Sequence, residues 1–140
     1  MGRRLRLEDV SYEATPTRTR ARVQLRNSGV SHVGLATGPA EDGAWARVVA
    51  QATVNAVRMY AGFAGAEMRI ALDSVQLLPS PSPLVVVTLT LGAGGRELLL
   101  AGSAPAGTDP RWAVARAVLQ ALNRQIEKIA PPDATAAALN

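Results

Sequence analysis

The sequence predicts an α+β domain of two pseudo-symmetric βββα units, with antiparallel sheets packed on two helices. Three observations carry that expectation. First, residues 5–60 and 69–129 read as two copies of one unit. Leu7-Glu8-Asp9-Val10 returns as Leu72-Asp73-Ser74-Val75, and Val33-Gly34-Leu35-Ala36 returns as Leu98-Leu99-Leu100-Ala101. Asp42-x-x-Trp45-Ala46-x-x-x-Ala50 returns as Asp109-x-x-Trp112-Ala113-x-x-x-Ala117, which sets the two tryptophans at equivalent places. The offset is 65 residues for the first two pairs and 67 for the third, so one loop of the second copy is expected to be longer. Second, each copy changes from strand-like runs, alternating in Arg18–Arg26 and continuously apolar in Leu84–Leu91, to helical spacing of its apolar residues. Third, short turns link successive strands, which suits hairpins and an antiparallel sheet rather than parallel crossovers.

The elements follow in order. Leu5–Glu13 is a strand whose alternation changes phase between Leu7 and Val10, the mark of a bulge. Thr15-Pro16-Thr17 breaks it. In Arg18–Arg26, Thr19, Ala21, Val23 and Leu25 share one side, and Arg18, Arg20, Arg22, Gln24 and Arg26 share the other. One face is thus expected on a core and one in solvent. Asn27-Ser28-Gly29 is a turn, and Val30–Thr37 the returning strand. A loop, Gly38–Gly43, leads to a helix from about Gly43 to Tyr60, with Asp42 as the expected N-cap. Its apolar stripe is Trp45, Val48, Val49, Ala52, Ala56, Met59 and Tyr60.

The second copy repeats the plan. Arg69–Leu78 is a strand, Pro79–Pro83 a break, Leu84–Leu91 a strand, Gly92–Gly95 a turn and Arg96–Gly102 a strand. Ser103–Thr108 is a loop. Asp109 then caps a helix that begins with Pro110, where a missing N–H costs nothing, and runs to about Ile129. Its apolar stripe is Trp112, Ala115, Val118, Leu119, Leu122, Ile126 and Ile129. Residues 1–130 are expected to form one domain and 131–140 a tail.

Composition narrows the function classes. The 140 residues are 48% hydrophobic and 19% charged, a globular balance. No cysteine is present, which excludes disulfides, thiolate nucleophiles and Cys-based zinc sites. The longest apolar stretches are shorter than the roughly 20 residues that span a bilayer. A cytoplasmic protein is expected, with no membrane partner. The net charge is +4, and fourteen of the fifteen basic residues are arginine. That balance fits codon usage as well as an anion-binding surface.

The copies differ in one respect. The outward face of Arg18–Arg26 is almost all arginine, whereas Leu84–Leu91 is apolar or neutral on both faces. A continuously apolar strand has both faces covered. A partner subunit is the simplest cover, which predicts a homodimer, and deep burial within the monomer is the alternative.

The order of elements, the Gly-Pro-x-Asp type of loop before the first helix, and an Asp-led second helix ending in Ala121-Leu122-Asn123 resemble the C-terminal regulatory domain of 2-isopropylmalate synthase, the leucine-sensing, dimer-forming part of that enzyme. The resemblance covers roughly residues 5–128. The family's Gly-x-Gly-Pro-x-Asp-Ala stands here as Ala36-Thr37-Gly38-Pro39-Ala40-Glu41-Asp42-Gly43-Ala44, with one glycine replaced and one residue added. In the second helix Asp109, Ala113, Ala117 and Asn123 match, while Pro110 and Arg111 replace two aliphatics. The chain is too short for the synthase barrel of about 250 residues. The resemblance implies a non-catalytic, stand-alone allosteric module that binds a small amino or keto acid beside a dimer interface.

The ligand-binding candidates are Gly38, Pro39, Asp42, Gly102, Ser103 and Asp109. They cluster at two helix starts, where free amides and the helix dipole suit a carboxylate. The alternative is a basic-sheet binder of nucleic acid or another anion through Arg18, Arg20, Arg22 and Arg26, together with Arg3, Arg4 and Arg6. Only Tyr12 lies near that sheet to stack a base, and RNA-reading sheets use several aromatics. His32, the single histidine, has no partner pattern for general-base work and reads as a strand residue near a turn. No catalytic residues, metal site or cofactor are expected.

Overall fold

The computed structural model describes residues 5–79, 81–93 and 95–129. The first unit is β1 (Arg6–Ala14), β2 (Arg18–Asn27), β3 (Val30–Pro39) and α1 (Ala44–Phe63). The second is β4 (Arg69–Leu78), β5 (Leu84–Ala93), β6 (Arg96–Pro105) and α2 (Pro110–Glu127). Each unit holds one antiparallel sheet, in the orders β1-β2-β3 and β4-β5-β6. The fold is therefore α+β, with two βββα units. The tail 131–140 lies outside the described residues. Among those residues no helix is long and apolar enough to cross a membrane.

Local chemistry places the elements. Buried Thr19, Ala21, Val23, Leu25 and Asn27 alternate with the outward residues of β2, so this strand has one dry and one wet face. The phase change in β1 is a register shift between Leu7 and Asp9, and β4 carries its counterpart between Leu72 and Ser74. In both bulges the inserted carboxylate turns outward. Glu8 accepts hydrogen bonds from Gln24 and Arg26, and Asp73 accepts one from Thr90.

Both sheets lay their inner faces on their own helices, the helices pack together, and β1 and β4 each reach the other unit's helix. The helices come very close to the edge strands. A Cβ on Gly34 would sit 2.1 Å from the Ala52 carbonyl and 2.3 Å from the Ala56 nitrogen. A Cβ on Gly102 would sit 2.1 Å from the Ala117 carbonyl and 2.6 Å from the Ala121 nitrogen. Each helix thus lies with an Ala-x-x-x-Ala face directly on a strand glycine. Side-chain amides seal the same edges. Asn55 donates to the Leu35 carbonyl at 2.7 Å, and Gln120 accepts from the Ser103 N–H at 2.7 Å.

These contacts correct the repeat alignment. Gly34 corresponds to Gly102 and Leu35 to Ser103, an offset of 68 residues. Ala52, Asn55 and Ala56 correspond to Ala117, Gln120 and Ala121, an offset of 65. The segment 98–101 is not the counterpart of 33–36, and Trp45 and Trp112 are not equivalent. Trp45 answers to Pro110, and Trp112 to Arg47. Two length differences hid this. The β5–β6 hairpin is two residues longer per strand, since Val23 lies four residues before its turn and Val87 six. Both strand-to-helix loops are four residues long, but the chain from the strand glycine to the alanine that covers it is three residues longer in the first unit, Gly34 to Ala52 against Gly102 to Ala117.

Candidate functional site

Gly38, Pro39 and Asp42 come together in a cleft of about 460 Å³ at the start of α1, with Thr37, Glu41, Arg47, Val48 and Gln51. Asp42 does not cap the helix. Gly43 holds the cap position at φ 82°, no side chain bonds the first amides, and the Ala44 N–H closes a turn onto the Glu41 carbonyl at 3.1 Å. Glycine tolerates this left-handed backbone, and the turn leaves the exposed Asp42 carboxylate outside hydrogen-bonding reach of those amides. Arg47 crosses to the other unit. It donates to the Leu72 carbonyl at 2.9 Å and the Asp73 carbonyl at 3.4 Å, beside the β4 bulge.

Asp109 lies apart from that cleft, at the start of α2. Its carboxylate accepts from the Arg111 backbone N–H at 3.0 Å and from the Arg111 guanidinium at 3.2 Å, an N-cap with Pro110 in the first turn. Asp109 also lines a second cleft of about 460 Å³ with Ala106, Gly107, Thr108, Trp112 and Arg116. The Arg116 guanidinium lies 5.5 Å from the centre of the Trp112 ring. Trp112 is half-buried there rather than facing fully inward, and Trp45 is half-buried against the core.

Gly102 and Ser103 do not belong to a helix-start loop. Both lie within β6, because that strand extends to Pro105. Gly102 does permit a close approach, but the approaching group is the backbone of α2. No space for a ligand remains over it.

The arginine face is where sequence placed it, but carboxylates of β1 are interleaved with it. Arg20 pairs with Glu13 at 3.7 Å, Arg22 with Asp9 at 3.9 Å and Arg26 with Glu8 at 2.6 Å. Hydrogen bonds from Arg26, then Gln24, hold the Glu8 carboxyl below its ordinary range. The sign of this face is therefore mixed, which strand composition without register could not reveal.

His32 is buried on the inner face of β3. Its ring lies 5.3 Å from Tyr60, edge-on, and 5.4 Å from Phe63. Burial pushes its pKa down, so the imidazole is held neutral. Its Nε2 finds no hydrogen-bond partner among the described residues. Among the described residues no group of three or more His, Asp or Glu side chains is placed to hold a metal ion.

A third cleft was not anticipated. About 570 Å³ lies between β3, α1 and the chain before β4, lined by Val33, Leu35, Met59, Ala66 and Met68 with Asn55, Arg58 and Glu67 at hand. Met59 was expected in the buried stripe of the helix, yet it is 59% exposed. It sits at the margin of the apolar arc, where helical spacing alone does not separate core from rim. The chain matches no protein-family model and no curated protein.

Proposed function

We propose that the chain is a non-catalytic regulatory module, similar to the allosteric domain of 2-isopropylmalate synthase, that binds a small amino or keto acid and works as a homodimer. One observation carries the reading. Gly38, Pro39 and Asp42, which bear the resemblance, line a single cleft with both signs of polar group in it. The first amides of α1 carry no side-chain cap and suit a carboxylate. Glu41 and Asp42 suit an ammonium group, and Val48 offers an apolar wall. The test is thermal unfolding of the full chain with individual amino acids and branched-chain keto acids. A ligand at about 100 times its Kd stabilises by roughly 2.7 kcal/mol, which is several degrees for a domain of this size. Asp42→Asn should weaken an amino-acid ligand more than a keto acid. No shift with any compound overturns the ligand reading.

The alternative, nucleic-acid or anion binding through Arg18, Arg20, Arg22 and Arg26, is weakened by the carboxylates that pair with three of those four. Binding to a generic oligonucleotide that falls steeply with salt would revive it.

A further inference from the structure

The central strand of the β4-β5-β6 sheet is uncharged on its outer face, and the Asp73 carboxylate lies beside it, accepting from Thr90. Inward Val85, Val87, Leu89 and Leu91 are buried, so Leu84, Val86, Thr88 and Thr90 point outward from the central strand. The register sets Ala101 beside Thr88 and Leu99 beside Thr90 on β6. Ser74 and Thr88 satisfy each other across the sheet at 2.7 Å, and Thr90 is bonded to Asp73. Most polar groups at the centre thus already have partners within the sheet, while Leu99 is 75% exposed.

The geometry points to a second copy of this chain as the cover: two outer faces of β4-β5-β6 packed sheet against sheet about a twofold axis near Thr88. This rests on the homodimer part of the reading above and specifies its surface. Three features favour a copy over another partner. A twofold interface sets one patch against itself, so charges near the axis meet their own kind. The β1-β2-β3 sheet, with arginines along its central strand, fails that condition, and the β4-β5-β6 sheet comes closer to it, since its central strand is uncharged and the Asp73 carboxylate beside that strand accepts from Thr90. Short side chains at Val86, Thr88 and Ala101 allow two sheets to close to the usual spacing of about 10 Å. Three ten-residue strands, at about 3.3 Å per residue and 4.8 Å between strands, give a face on the order of 500 Å² in plan. Two such faces bury on the order of 1,000 Å² in plan, at the low end of specific interfaces.

The experiment is light scattering on size-exclusion fractions of the full chain. The wild type should be a dimer. Thr88→Arg should weaken it by about 100-fold or more, because two guanidinium groups meet at the axis. Circular dichroism and thermal unfolding verify that the variant is folded. Leu99→Glu, on an edge strand, gives a second measurement should Thr88→Arg unfold, and Arg20→Ala on the other sheet should leave the dimer unchanged. The chain has no native cysteine, so Thr88→Cys should also cross-link with a short bis-maleimide. A monomeric wild type overturns this inference and the homodimer reading together. A wild-type dimer that survives folded Thr88→Arg and Leu99→Glu overturns this inference alone. The ligand reading fails separately, by the thermal-shift test.

Discussion

The two units share their inner plan and differ on their outer faces. Inside, each has a bulge in its first strand, a glycine beneath an Ala-x-x-x-Ala helix face, and a side-chain amide sealing the edge strand. Outside, the first sheet carries ion pairs between β1 and β2, and the second carries valine, threonine and alanine with the Asp73 carboxylate bonded to Thr90. Packing constrains the inner faces alike, because helix and sheet backbones must meet at one distance in both units. The outer faces do not touch those helices, so they are free to diverge. Shared features therefore report on folding, and divergent ones on what each unit meets.

The strongest challenge to the shared plan is a methyl group under each helix. Gly34→Ala and Gly102→Ala should each destabilise by about 3 kcal/mol or more, since the obstructing atoms are helix backbone and cannot rotate aside. Urea unfolding would read both. A cost below about 1 kcal/mol in either variant would break the equivalence of the units. Gly62→Ala is the contrast: it lies in α1 with open space around its Cβ, and should stabilise by about 0.5–1 kcal/mol.

That equivalence was only half legible in the sequence. The phase change in residues 5–13 announced the first bulge, and Arg18–Arg26 announced a one-sided strand, because alternation is a local property. Matching the tryptophans misaligned the helices, because the hairpins and the spans from strand glycine to covering helix differ in length between the units. A glycine inside a strand does not say which backbone lies over it, so Gly34 and Gly102 gained their meaning only from register. The same holds for Glu8, Asp9 and Glu13. Their positions along the first strand were plain, but their pairing with Arg26, Arg22 and Arg20 depends on antiparallel register across a bulge. Asp42 resembled Asp109 in sequence context, and one glycine at positive φ separated their roles.

The next effects are smaller and test where the units are tied. Arg47 holds the carbonyls of the β4 bulge, and its counterpart is Trp112. Arg47→Met should cost about 1–2 kcal/mol by leaving those acceptors without that donor. Trp112→Arg would show by comparison whether an arginine at the corresponding place makes a similar tie; a loss of stability would mark the tie as particular to β4. Asn55→Ala and Gln120→Ala should each cost about 1 kcal/mol and match one another within about 0.5 kcal/mol. A marked inequality would mean that one edge is sealed by something further.

The smallest effect separates the units by pH. His32 stands in β3 where the second unit has Leu100, at the offset of 68 set by Gly34 and Gly102. Burial lowers the folded pKa of His32 below its ordinary value of 6.5, so the unfolded chain takes up the proton first as pH falls. Its contribution to stability is then fully present above pH 6.5 and lost as pH falls through the lowered folded value. Glu8, also lowered, contributes above its ordinary 4.5 and loses that contribution further towards acid. His32→Leu should therefore flatten the upper limb of the stability-against-pH curve and leave the carboxylate limb in place. The substitution also replaces a buried ring nitrogen that has no partner among the described residues with the residue the second unit already uses. Denaturant midpoints measured from pH 7.5 down to pH 4 would separate the limbs, and the single imidazole can be titrated directly by NMR. An unchanged slope near pH 6 in the variant would place that proton uptake on another group and leave the two β3 and β6 positions energetically alike.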